Sequence, residues 1–457
     1  MSRGLRWWLP DLAMAAALVT LVYCLFLFQG TRQLFRDSDA GWHIRNGEAI
    51  LATGTLPRTD PWSFTRGGQP WFAWEWLSDL VSGAIHHNLG LKGVALFYAA
   101  AIAAGVWLWF RLHWALGGNF LIACAMAPLL LSTCNIHWLA RPHVLSWLGM
   151  LWAMFPADPG LPRIALITAL WANVHPSFFF AALRAVNLRP ARCVLVLAVI
   201  AVVPLLNPYG FRLYVHIWHY LTDRELLSRI AEFQSFDFHT EGSGQIIATL
   251  LLGIIGGTLA MTQGRWRHFV IALAITAMAL QSARALPLAA LLLLPIANAS
   301  ITAALTAFPA FLSYGKNLRT FDARFNGFAL VPLVLLAMWK WMPAAGFPAD
   351  QFPVAAYPHL PAQGRLFAPD KYGGYLIYRS AGQRKVFFDG RSDLYGAGFL
   401  KRYGRMMQLR PGWRETFDSF GFTDALVPVD APLGPALLQL GWRETYRDKV
   451  AVLLQAP

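Results

Sequence analysis

Charge is what this chain has least of. Only 14% of its 457 residues are Asp, Glu, Lys or Arg, against roughly 25% in an ordinary soluble domain. With 56% hydrophobic residues and a mean hydropathy of +0.44, that scarcity excludes a typical soluble enzyme and points to a polytopic membrane protein. Cysteine is scarce too. Cys24, Cys124, Cys134 and Cys193 lie in or beside apolar runs and form no CxxC pair, so no disulfide framework is implied. The C-terminal stretch has neither GxGxxG nor GxxxxGK[ST], which removes the usual grounds for nucleotide binding. MSRGLRWWLP enters an apolar run without a small-residue cleavage site, and we read it as leading into a retained first helix.

Acids are fewer than bases, 24 against 38, giving a net charge of +14. The basic residues do not form a stripe with interleaved aromatics, so the excess does not point to nucleic acid. They sit in short connections between apolar runs, as a topology signal does, and the 20 Trp suit membrane interfaces.

A spanning helix needs about 20 apolar residues, fewer within a protein-lined region. Eleven candidate runs occur, at 11–28, 91–110, 120–136, 143–156, 164–174, 176–184, 193–206, 245–262, 269–283, 285–304 and 327–343. Arg3 and Arg6 before the first run predict a cytoplasmic N-terminus. With eleven crossings, every predicted cytoplasmic segment carries Arg or Lys, whereas the short outer turns hold only Arg141 and Arg284. The expected fold class is therefore an α-helical membrane protein of about eleven transmembrane helices with a small C-terminal α/β extracytoplasmic domain. Residues 1–344 form the membrane part, with an outer loop at 29–90 in which EWLSDLVSGAIHH is predicted to lie along the interface as an amphipathic helix. Residues 345–457 form the soluble part. GRLFAP, KVFFDG and DALVPVD read as strands, YGAGFLKRYGRMMQL and PLGPALLQLG as helices, and WRETYRDKVAVLLQ as a hairpin.

Polar residues cluster at the expected outer end of the bundle. They are Asp37, Asp39 and His43 in FRDSDAGWHIRNGE, then Asp60 and Glu75, Arg141 and His143 in LARPHV, Asn173 and His175 in WANVHP, Asn207 and Tyr209 in LNPYGFRLY, and Arg284 in QSARALP. Each has a plain structural reading. Asp37 is an ordinary loop carboxylate and Asp39 a helix cap; the arginines anchor helices at the headgroups; NPYG is a helix stop and turn. The functional reading takes them together. Arginine offers a planar fork for a lipid phosphate, and a carboxylate can deprotonate an acceptor hydroxyl at the aqueous side.

RDSDAGWHIRNGEAIL, TDPWSFTRGGQPWFAWEWL, ARPHVLSWL, WANVHPSFF, LNPYGFRLY and KVFFDGRSDLYG together resemble a bacterial branch of the GT-C glycosyltransferase superfamily. That superfamily includes the protein O-mannosyltransferases, the aminoarabinose transferases and the catalytic subunits of oligosaccharyltransferases. The resemblance implies a multi-helix membrane domain in a bacterial inner membrane with a periplasmic C-terminal domain. The donor would be a polyprenyl-phosphate- or polyprenyl-diphosphate-linked sugar, the transfer inverting, and the acceptor a glycan, lipid or protein hydroxyl. It assigns Asp39 as base, with Asp37 beside it, and Arg141 and Arg284, with His143, as phosphate contacts. His43, Asp60, Glu75, Asn173, His175, Asn207 and Tyr209 are left for sugar or acceptor. Asp37 and Asp39 would hold a divalent cation, Mn²⁺ or Mg²⁺, if one is used. Two departures stand out: there is no WWDYG-type motif, and FFDGRSDLYG carries no transferable role beyond an expected Asp389–Arg391 pair. The competing classes are a transporter or scramblase, which would place ionisable groups near the midplane, and a non-catalytic membrane assembly factor.

Overall fold

The computed structural model describes residues 5–457, so Arg3 lies outside the described residues. Each of the eleven apolar runs folds as a helical element. Four elements are long and apolar enough to cross a membrane: Arg6–Phe26, Trp76–Ala115, Ser243–Thr262 and Ala283–Ala304. The other seven have 10–17 residues. At 1.5 Å per residue even 16 residues reach only about 24 Å, short of a hydrocarbon core of about 30 Å. By length four elements qualify, and the seven shorter apolar helices would cross only as the short, protein-lined segments expected above. Pro176–Asn187 is wound as a 3-10 helix over 12 residues, far beyond the three or four usual for that geometry.

The expected interface helix is the first limb of the Trp76–Ala115 helix. It ends at Gly90, whose φ of 64° and ψ of −167° suit a residue without a side chain. This limb crosses the Asp39–Thr53 helix at backbone contact. A Cβ on Gly47 would stand 1.7 Å from the Asp79 carbonyl oxygen, and one on Gly83 2.3 Å from the Gly47 carbonyl carbon. Helix propensity alone predicts that Gly83→Ala stabilises by about 1 kcal/mol. The clash should win, since overpacking typically costs about 1–3 kcal/mol. Gly83→Ala is thus expected to lower the melting temperature in detergent, and an unchanged or higher value would refute the close crossing.

The helix bearing the DxD starts at Asp39 itself. Its N-cap residue is Ser38, which makes no side-chain capping bond; Asp37, one residue earlier, accepts the Asp39 N–H on Oδ1 at 2.9 Å. Asp39 is therefore the first helical residue and not the expected cap, and its carboxylate faces other partners.

The C-terminal sheet has the order β1 (Leu366–Phe367), β2 (Asp424–Pro428), β4 (Ala451–Gln455), β3 (Arg443–Arg447). β1 runs parallel to β2, and the other two pairings are antiparallel, including the expected β3–β4 hairpin. KVFFDG is not a strand. Val386 makes a single bridge to Ser63, and Phe387 and Phe388 are buried in an aromatic cluster. An apolar run bounded by Gly looks the same in either case.

Hydrophobic packing continues across residue 344. One cluster joins Phe35 and Trp42 to Phe347, Tyr375 and Leu426; a second joins Leu226 to Phe367 and Phe387. The Asp370–Arg379 helix lies directly on the DxD helix. A Cβ on Gly41 would be 2.3 Å from the Gly374 carbonyl oxygen, and one on Gly374 2.2 Å from that of Ser38.

Candidate functional site

The Asp39 side chain meets Arg141, which the turn before the His143–Met154 helix presents. The guanidinium of Arg141 is the hub. Its Nη1 is 2.6 Å from Asp37 Oδ2 and 3.0 Å from Glu232 Oε1, and its Nη2 is 2.9 Å from Asp39 Oδ2. Glu232 reaches on to Arg284, with Oε2 3.2 Å from Nε. Arg141 and Arg284 therefore lie on one side of the molecule and share a carboxylate.

This cluster separates two cavities. The first, of 490 Å³, is largely apolar; its walls include Trp42, Trp74, Phe179, Ile217, Met278 and Leu288. The second, of 540 Å³, is mixed and only relatively more polar: Arg36, Arg229, Gln351, Asp370 and Lys371 share its walls with Ile136, Leu139 and Phe388. Asp39, Arg141, Glu232 and Arg284 line both. The helix Arg212–Thr222 puts Ile217 into the apolar cavity while exposing Trp218, at 68% accessibility, on its other face. That is how a side wall open to lipid is built.

Burial pushes the Asp39 carboxyl up to about 7 despite Arg141; Asp37 and Glu232 push the same way. Burial alone would also raise Glu232, but Arg284 and Arg141 hold it well below the ordinary carboxylate range. The two neighbouring acids are thus pushed in opposite directions, Glu232 down by its two arginines and Asp39 up by burial.

A second polar chain starts in the apolar cavity. His175 Nε2 is 3.3 Å from Glu75 Oε1, and His43 Nε2 is 3.8 Å from Glu75 Oε2. Behind them His43 Nδ1 meets Asp79 Oδ1 at 2.6 Å, and Asn46 Nδ2 donates to Asp79 Oδ2 at 2.7 Å. Burial lowers His43 to about 3, leaving it neutral, and raises Glu75 to about 7. His43 stacks under Trp42 and lies behind the cavity wall. His143 lines the apolar cavity and donates from Nε2 to the His137 carbonyl at 2.8 Å.

Four residues expected near sugar or acceptor lie elsewhere. Asp60 pairs with Arg391 at 2.8 Å, fully buried. Asn173 Oδ1 accepts the Trp76 indole N–H at 2.8 Å. Asn207 closes the NPYG turn, its Oδ1 accepting the Tyr209 N–H at 2.7 Å. Tyr209 stacks on Phe72 and accepts the Ala73 N–H through its hydroxyl at 3.1 Å. Such residues have local backbone partners to satisfy.

Glu232, Asp79 and Arg391 were missed. Glu232 sits in a loop without motif character. Asp79 had a signal, four residues after Glu75 on one helical face. Arg391 belongs to the motif left without a role. The turn 389–391 roofs the site, since a Cβ on Gly390 would be 2.0 Å from Asp39 Oδ1. The expected pair is present, with Arg391 Nη2 2.7 Å from Asp389 Oδ2.

The DxD carboxylates do not fit a divalent cation in this arrangement. An ion bound by both would stand beside a guanidinium that already bridges them. Unit charges 4 Å apart interact by about 4 kcal/mol at an effective dielectric of 20, and a dication doubles the repulsion. Among the described residues, no group of three or more His, Cys, Asp and Glu side chains is placed to hold a metal. Activity is expected to survive EDTA; loss restored by Mn²⁺ or Mg²⁺ would overturn this reading.

These features define a largely helical fold with elements long and apolar enough to cross a membrane and charged groups gathered between two cavities. The apo oligosaccharyltransferase of Archaeoglobus fulgidus is a similar solved structure: the TM-score is 0.53 at 11% identity, covering 92% of this chain and 69% of that one. The likeness is one of fold. No protein-family model and no curated protein matches the chain.

Proposed function

We propose that this protein is a membrane glycosyltransferase that moves a sugar from a polyprenyl-(di)phosphate donor to an acceptor hydroxyl, with inversion. The observation that carries the reading is the Asp39–Arg141 partition between an apolar and a more polar cavity. The donor's tail stays in lipid, and its phosphate reaches Arg141 and Arg284 through the apolar cavity, near His143. Bilayer contact is worth about 0.8 kcal/mol per CH₂, so the tail needs no full-length pocket. The acceptor enters through the more polar cavity.

Asp39 takes the hydroxyl proton as the acceptor oxygen bonds to the anomeric carbon. The sugar–phosphate C–O bond breaks on the opposite face, and the phosphate leaves with the bonding electrons. Arg141 and Arg284 hold the charge that develops on it. Glu75 and His175 are placed to hydrogen-bond sugar hydroxyls. The setting that fits is a bacterial inner membrane, with the N-terminus cytoplasmic and residues 345–457 periplasmic. Charge gathered at one end of the bundle favours this over ion-coupled transport.

The test is native mass spectrometry of the purified protein with its co-purified lipids. A polyprenyl phosphate or its sugar adduct is expected with wild type and should be lost from Arg141→Ala. Ordinary phospholipids alone in both samples would sink the proposal.

A further inference from the structure

Glu232 occupies an unusual position. One oxygen meets Arg141 Nη1 at 3.0 Å and the other Arg284 Nε at 3.2 Å, so a single carboxylate bridges the two guanidiniums that border both cavities. A phosphate group would make that same bridge, anion oxygens fanned between planar donors. Glu232 is not built into a long helix. It sits in the short turn Ala231–Phe233, whose backbone is tied to the Arg284 turn by Ser282 Oγ donating to the Glu232 carbonyl at 2.8 Å. The side chain is 28% exposed and lines the more polar cavity, so it has space to swing into. Asp37 differs: it is committed to the start of the DxD helix through the Asp39 N–H at 2.9 Å.

Without Glu232, Arg284 would have no carboxylate within ion-pair distance among the described residues, and Arg141 would keep Asp37 and Asp39. Arg284 thus depends on Glu232 for its ion pair, and the chain supplies that anion itself.

We infer that Glu232 is an internal stand-in for the donor phosphate, which must be displaced before a lipid phosphate can bind. This rests on the transferase reading above. It adds a gate: the two arginines are stored neutralised, and the gate favours ligands whose charge outcompetes one carboxylate. Neutral lipid headgroups cannot displace it, whereas a sugar–diphosphate lipid, with two negative charges, or the lipid phosphate monoester released by transfer, can. An occupied site lowers apparent affinity by the fraction of protein in the competent state, so removing the stand-in should recover about tenfold if it is nine-tenths populated.

The experiment uses the full chain in nanodiscs and a C55 polyprenyl phosphate as probe, with binding read by titration. Glu232→Gln keeps the shape and removes the charge. It is expected to bind the probe about tenfold more tightly than wild type, an unusual direction for a residue in the heart of a site. Glu232→Ala reads the same quantity where an amide would disturb the packing. Asp237→Asn, which removes an exposed acid from the same loop away from both arginines, should leave binding unchanged. Weaker or unaltered binding in both Glu232 variants, with wild-type binding intact and abolished by Arg284→Gln, overturns the stand-in and leaves the transferase reading standing. Equal tightening in Asp237→Asn also overturns it, because net charge would then explain the effect. Absence of probe binding in wild type and all variants overturns the transferase reading and this inference with it.

Discussion

Asp39→Asn is expected to abolish sugar transfer while leaving the protein folded and still able to bind donor. A positioned general base contributes roughly 10²–10⁴-fold, so kcat should fall by about that factor. The amide keeps the shape and one lone-pair acceptor toward Arg141, so donor binding should hold or tighten slightly. A kcat loss with little change in KM is the signature of a group needed in the transition state. The wild-type pH profile follows from the raised carboxyl of Asp39, at about 7. A base acts when unprotonated. Below pH 7 the unprotonated fraction falls tenfold per unit, so kcat/KM should drop with unit slope on the acid side and level off above about 7. Glu75 titrates in the same range, so Glu75→Gln is the control that assigns the limb. A profile flat down to pH 5 would remove Asp39 as base.

Arg391→Gln is expected to cost the most stability of any single change at the site. Arg391 is 1% exposed, and its partners Asp60 and Asp389 are fully buried. Its guanidinium also lies 4.7 Å above the Trp71 ring. Removing one member of a buried ionic cluster strands the others, at about 3–5 kcal/mol. The stranded carboxylates come from two distant segments, loop 58–74 and the FFDGRSDLYG turn. The expected result is a lower melting temperature together with faster proteolysis of residues 345–457. Asp60→Asn combined with Asp389→Asn should return part of the loss to the variant, since nothing charged is then left unpaired. A variant as stable as wild type would refute a structural role for the motif.

Much of the skeleton was readable from residues alone. Apolar runs declare helices because burial in lipid demands continuous hydrophobic stretches, and Arg141 and Arg284 stood out against the charge bias. The hairpin and the strand DALVPVD were legible because alternation and turn residues are local signals. What was not legible is pairing. Nothing near Glu232 marks it as a partner for Arg141, 91 residues away. Asn173 and Asn207 had the composition of ligand contacts, yet Asn173 holds the Trp76 indole from within a helix and Asn207 closes a turn, because an amide satisfies a protein group and a ligand with the same atoms. Period tells which face of an element is buried, not what lies against it.

The seating of the Asp370–Arg379 helix on the DxD helix has a consequence in time. Ser38 and Asp370, which meet in that seam, are 332 positions apart in the chain. Ribosomes add roughly 5–20 residues per second, so the segment carrying Asp39 waits about 17–66 s before its partner has been synthesised. Throughout that interval Gly390 is absent, and the acid it will cover lies open. A nascent or prematurely terminated chain can therefore insert its helices while lacking the segment that covers Asp39, so the proposed chemistry would begin only when synthesis is nearly complete.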